Sequence, residues 1–112
     1  MKNTSLAAVV NQQLQAARQA SSGRSACTIH GGSSNHLRQT VLALSAGRRL
    51  GEHDSPGEAT LQVLTGRIEL SAGNAHWQGQ TGDFVEIPRT RHDVTAHEDS
   101  AFLLTVVTRP LD

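Results

Sequence analysis

From Ser25 onward the chain is built of short segments rich in Val, Ile, Leu and Thr, and nine glycines between positions 31 and 82 punctuate them. Brief β-prone segments cut at intervals by turn residues are the pattern of an all-β sandwich or barrel, because each segment is long enough for one strand and too short for a helix. The spacing predicts strands over 26–30, 36–45, 48–53, 59–65, 67–71, 75–79, 83–87, 92–97 and 100–108. Gly31-Gly32-Ser33-Ser34-Asn35 reads as a hairpin turn, since these residues tolerate positive φ or bond their own backbone. The other reading of that run, a phosphate-cradling loop, lacks a following helix to supply its dipole. Thr65-Gly66-Arg67 and Ala72-Gly73-Asn74-Ala75 read as two further hairpin turns.

Two segments, Val41-Leu42-Ala43-Leu44 and Leu103-Leu104-Thr105-Val106-Val107, are apolar without alternation or nearly so, as strands covered on both faces are. Something must lie over the outer face of such strands. A segment before Ser25 offers one candidate: Leu6, Val9, Val10, Leu14 and Ala17 fall at helical spacing behind Thr4 or Ser5 as N-cap, predicting a helix over 5–20. The Ser21-Ser22-Gly23-Arg24 run then ends it. A second subunit is the other candidate, and a homodimer is expected. The division expected is residues 1–24 as helix and linker, and 25–112 as one β-barrel domain.

Composition narrows the partners. A length of 112 residues suits one domain. Ten basic residues balance ten acidic ones, which argues against nucleic acid or an anionic membrane as the main partner; Arg48-Arg49 and Arg89 with Arg91 read as solvated loop ends. No apolar run approaches the ~20 residues that span a bilayer, and no signal-peptide core follows Met1-Lys2-Asn3, so a cytoplasmic location is expected. Cys27 is the only cysteine, which removes any intrachain disulfide and leaves packing to hold the fold. Trp77 reads as a packing residue, at the core or at a subunit surface.

Two glycine-framed stretches carry more. Gly47, five residues, His53 and finally Gly66 resemble the first motif of the cupin family, G-x5-H-x-H-x3-4-E-x6-G. Gly82, five residues and Pro88 resemble the opening of its second motif, G-x5-P-x-G-x2-H-x3-N. The resemblance implies a double-stranded β-helix, the jelly-roll barrel of the cupins, preceded here by a short N-terminal α-helix. It also implies an interior site where two histidines and a glutamate from the first motif meet one histidine from the second around a divalent metal. This chain departs from that set: Ser55 stands at the second histidine and Ala59 at the glutamate. Without a gap, Asp93 falls at the second-motif histidine and His97 at its asparagine; with one residue deleted from the Pro88–Arg91 turn, His92 takes the histidine position, which is the alignment adopted.

The pocket implied by the resemblance contains His53, Ser55, Leu61, Val63, Phe84, His92 and Phe102, with Leu50 beside them. Imidazoles with one carboxylate suit iron, manganese, zinc, nickel or copper. His53 and His92 would be ligands, and Glu58 would complete the set if a bulge at Pro56-Gly57 turned it inward; strand alternation from an inward position 59 turns it outward instead. Three readings remain open at this stage. One is a module that binds a small molecule in the barrel without depending on metal. The second is a metal-dependent oxygenase or isomerase acting on a small organic acid. The third is a domain that only mediates association and whose pocket is a relic.

Overall fold

The computed structural model describes residues 1–55 and 57–108. Helix α1 spans Leu6–Gln19, and the Ser5 hydroxyl accepts the Ala8 N–H at 3.2 Å, so the N-cap is the serine. Eight strands follow: β1 Arg24–His30, β2 Leu37–Leu44, β3 Ala59–Thr65, β4 Arg67–Ala72, β5 Ala75–Gln80, β6 Phe84–Glu86, β7 Asp93–Ala96 and β8 Ser100–Val107. They form a five-stranded sheet in the order β1-β2-β8-β3-β6 and a three-stranded sheet in the order β5-β4-β7. All pairings are antiparallel. Two antiparallel sheets packed face to face with one short helix match the all-β jelly roll expected.

The hairpin expected at 31–35 joins β1 to β2, with Asn35 N–H donating to the Gly32 carbonyl. Gly73-Asn74 likewise closes the β4–β5 hairpin, where Ala72 pairs with Ala75. Thr65-Gly66-Arg67 is no hairpin. β3 and β4 lie in different sheets, and Gly66 is the corner at which the chain crosses between them. Its φ is +94°, and a Cβ there would stand 2.6 Å from the Asp99 carbonyl oxygen. The glycine marks a tight crossing, a geometry that spacing alone does not distinguish from a hairpin.

Between the sheets Leu44, Leu61, Val63, Ile68 and Phe102 are at most 1% exposed, and Leu42, Leu50, Trp77, Val85 and Leu104 pack against this cluster. Trp77 therefore belongs to the core side of β5, its indole lying over Gly79, where a Cβ would collide with the ring. On the opposite face of the five-stranded sheet, Ala17 of α1 packs on Ala43 and Ala101 with Val10 and Leu14 beside them. The Ser25 hydroxyl donates to the Gln13 carbonyl at 2.7 Å. The helix thus supplies the outer cover that the apolar β2 segment requires. Beyond its reach, Leu103, Thr105 and Val107 stay half-buried.

Residues 48–53, expected as a strand, instead make two isolated bridges beside β7: Arg49 with Thr95, and His53 with His92. Three residues, 50–52, lie between those bridges on one side and two, 93 and 94, on the other. One extra residue on one side is a β-bulge, and Gly51 carries it at φ +102°.

Candidate functional site

The bulge decides which second-motif residue meets His53. Had the Arg49–Thr95 register continued without it, His53 would have opposed position 91; the extra residue brings it opposite His92. Their backbones exchange two hydrogen bonds of 3.0 Å, and their rings meet edge to face with centroids 4.4 Å apart and planes at 67°. His92 shares a strand face with Val94 and Ala96, which are core residues, so the imidazole pair stands on the interior side. His92 is buried and His53 half-buried.

Each ring is held by its own turn. His53 Nδ1 lies 2.8 Å from the Gly51 carbonyl oxygen, and His92 Nδ1 lies 2.8 Å from that of Thr90. A carbonyl only accepts, so Nδ1 carries the proton in both rings and, in the neutral form, Nε2 of each keeps its lone pair. Two oriented imidazoles with acceptor nitrogens result, the arrangement by which backbone carbonyls fix the tautomer of metal-ligating or substrate-binding histidines.

Asp93, the alternative occupant of the second-motif position, does something else. Its side chain is 2% exposed and pairs with Arg49, whose Nε stands 2.8 Å from Oδ2. Its other oxygen accepts the Gly51 N–H at 2.8 Å and the Val94 N–H at 2.7 Å. A buried carboxylate needs a countercharge and donors; here Arg49 and the Gly51 N–H come from the bulged segment that it braces, and the Val94 N–H from its own strand. Sequence reading missed this role, although an aspartate directly after a site histidine and facing an arginine-bearing segment was the available signal. His97 is also elsewhere, 3.8 Å from Glu69 on the three-stranded sheet.

The remaining expected site residues divide. Leu61, Val63 and Phe102 are interior, as expected, but they are packed core. Phe84 is 60% exposed and lies outside the barrel. β6 pairs Val85 with inward-facing Leu61 and Phe84 with exposed Gln62, so strand alternation places Val85 inside and Phe84 out. Glu58 is exposed while Ala59 is buried; the same alternation sends the carboxylate away from the imidazoles. Pro56, half of the bulge that would have re-aimed it, lies outside the described residues. The Ser55 hydroxyl is half-buried and engaged with its own turn, donating to the Gly57 carbonyl at 2.9 Å.

A shallow recess of about 110 Å³ opens between β4, β5 and β6, lined by Leu70, Ala72, Trp77, Val85 and Pro88 with His76 and Glu86 also on its wall; neither His53 nor His92 lines it. The β4–β7 register ends with Ser71 opposite Asp93, and its continuation puts Ala72 next to His92. The recess and the imidazole pair thus lie toward the same end of β4, and the lining of the recess by Trp77 and Val85 was not anticipated from the sequence.

No family model and no curated protein matches the chain by sequence. Solved structures do match. A conserved protein of unknown function from Streptococcus pyogenes superimposes with a TM-score of 0.71 at 26% identity, covering 82% of this chain and 80% of that one. An RmlC-like cupin protein from Desulfovibrio desulfuricans gives 0.66 at 25% identity over 76% and 82%. The chain has the fold of a small cupin domain. A variant of salicylate 1,2-dioxygenase from Pseudoaminobacter salicylatoxidans shares the fold at a TM-score of 0.74 and 16% identity, with 90% of this cupin covering 32% of the larger chain.

The donor set can be compared with the metal that the motifs imply. Among the described residues no group of three or more His, Cys, Asp or Glu is placed to hold a metal ion. His53 and His92 supply two imidazoles, Ala59 offers no ligand, and Glu58 is turned outward. These residues do not fit a resident ion held by three imidazoles and a carboxylate. Among the described residues no helix is long and apolar enough to cross a membrane.

Proposed function

We propose that this cupin is a binding module that holds a small organic molecule at the barrel mouth, with the His53–His92 pair as polar anchor and the recess under Trp77 taking an apolar group. The observation that carries this reading is the pair of imidazoles in edge-to-face contact, each fixed through Nδ1 so that its Nε2 is left as an acceptor. A mostly apolar recess with a few convergent polar groups is how small-molecule sites are built. The matching ligand presents hydroxyl or amine donors on a compact apolar body, in keeping with an open recess of about 110 Å³.

A thermal-shift screen of small alcohols, amines and hydroxy acids, followed by calorimetry on hits, tests the reading. Ligands should raise the melting temperature of the native protein and fail with His53→Ala and His92→Ala. Hits that survive both substitutions would place binding elsewhere. The metal-dependent enzyme reading makes the opposite forecast for metal analysis: one equivalent of transition metal in protein purified without chelator, lost in both alanine variants.

We also infer a homodimer through the helix-free part of the five-stranded sheet, where Phe84 is 60% and Leu37 41% exposed beside half-buried Leu103 and Val107. Apolar residues grouped on one sheet face favour association. Sedimentation at micromolar concentration showing a monomer would refute it.

A further inference from the structure

Charge is distributed unevenly along this chain. All ten carboxylates lie at or beyond Glu52, whereas Lys2, Arg18, Arg24, Arg38, Arg48 and Arg49 precede it. The net charge of zero therefore hides a basic first half and an acidic second half. Folding neutralises part of the difference, because Asp99 pairs with Arg18 and Asp93 with Arg49. Among the described residues no ion pair engages Lys2.

Lys2 lines a cavity of about 410 Å³ together with Thr28, Ile29, His30, Gly31 and Asn35. The end of β1 is shaped for it. Thr28 pairs with Thr40, but His30 pairs with Gln39, so Ile29 is an extra residue and the strand bulges. The bulge moves His30 into register with Gln39, on the same sheet face as Ala43 and hence on the side that carries α1 and Lys2. Gly31 completes the turn at φ +128°, with its Cα so close to the next strand that a Cβ would stand 3.1 Å from Arg38 Cα. The lining has an ammonium, an imidazole and an amide, and no carboxylate.

We propose that this cavity is a second ligand site that takes a phosphate group, either free phosphate or the head of a phosphomonoester. A phosphate dianion offers acceptors in four directions and needs cationic donors without a competing carboxylate. Lys2 supplies the charge, the Asn35 amide supplies a directed donor, and His30 contributes a ring N–H, while the Thr28 hydroxyl is turned to the other face, 3.3 Å from that of Thr40. The site lies on the helix-bearing outer face, apart from the interior histidine pair, so it stands or falls independently of binding at the barrel mouth.

Amide NMR titrations at constant ionic strength test it with three probes: inorganic phosphate, glycerol phosphate and acetate. Saturable shifts confined to the neighbourhood of Lys2 and residues 28–35 are expected with both phosphates and not with acetate. Tighter binding of glycerol phosphate would assign the site to an organic phosphate; equal binding would assign it to the free ion. Lys2→Gln and His30→Ala should each weaken phosphate roughly tenfold, the size of one charge-assisted contact, while Lys2→Arg keeps most of the affinity. The amide spectrum of each variant reports directly whether it is folded. Shifts spread over the whole surface, binding of acetate equal to phosphate, or indifference to both Lys2→Gln and His30→Ala would overturn the proposal.

Discussion

The two ends of the barrel interior are made by the same strands and behave as different materials. β7 sends Val94 and Ala96 into a core with Phe102, Leu44 and Ile68, and, one step beyond, its strand face ends in His92 opposite His53. The packed end is apolar and closed, whereas the mouth is polar and braced by a buried carboxylate. The contrast shows how a fold separates stability from binding: a single bulge changes register, and beyond it the same face carries imidazoles.

Breaking the packed end should have the largest effect. Phe102 is 1% exposed at the centre of the core, and Phe102→Ala is expected to lower unfolding free energy by about 4 kcal/mol. Denaturant melts measure this. A loss below about 1 kcal/mol would mean that the interior is loosely filled and that the two ends do not differ as described.

Breaking the mouth's support comes next. Asp93→Ala removes the countercharge of Arg49 and leaves the Gly51 and Val94 N–H groups without their acceptor; because Arg49 itself is 63% exposed, the stranded cation is solvated, and the expected cost is about 2 to 3 kcal/mol. The variant should also release the bulge, so the His53 and His92 ring resonances should move together in the NMR spectrum. Unmoved resonances would show that the register holds without Asp93.

A smaller effect sharpens the comparison. Ser55→His with Ala59→Glu restores the residue types of the first cupin motif, and Ala59 is 6% exposed. A carboxylate placed there should cost about 2 kcal/mol without metal. Zinc or nickel should then raise the melting temperature of the double variant and leave the native protein nearly unchanged, because an ion that binds only the folded state stabilises it. Equal response of both proteins would indicate that position 59 does not face the histidines.

Much of the frame was legible from spacing. Gly47, His53, Gly66, Gly82 and Pro88 sit where a jelly roll needs turns and corners, and glycine at a corner such as Gly66 is imposed by a crowding that any sequence of this fold must satisfy. The site was legible only in part. Which residue met His53 depended on one bulged residue, which moves its partner from position 91 to His92, and Gly51 does not announce a bulge when read alone. Phe84 was misplaced by a single step of parity, which a two-residue repeat converts into the opposite face of the sheet. Ala59 carries no donor atom, a fact that needs no geometry to read.

The smallest effect concerns how α1 is fastened to the packed end. Asp99 accepts from Arg18 Nε at 2.8 Å and from the Ala46 N–H at 2.8 Å, joining the helix and the turn after β2 to the start of β8. The Arg18 hydrogen bond, then the Ala46 N–H, hold its carboxyl below the ordinary value of 3.8. A carboxylate whose pKa is depressed by folding stabilises the native state above its unfolded value, and that contribution is lost as pH falls through the folded value. The pair is partly exposed, at 54% and 36%, so the gain is below about 1 kcal/mol. Arg18→Gln should therefore lower the melting temperature slightly and by a constant amount between pH 5 and 7, roughly one to three units above the carboxylate value. Below 3.8 the two curves should converge as Asp99 takes up its proton in both proteins. Curves that stay parallel to acid would show that Arg18 holds the helix by packing of its stem, and that charge contributes nothing to the difference between the braced and the packed ends.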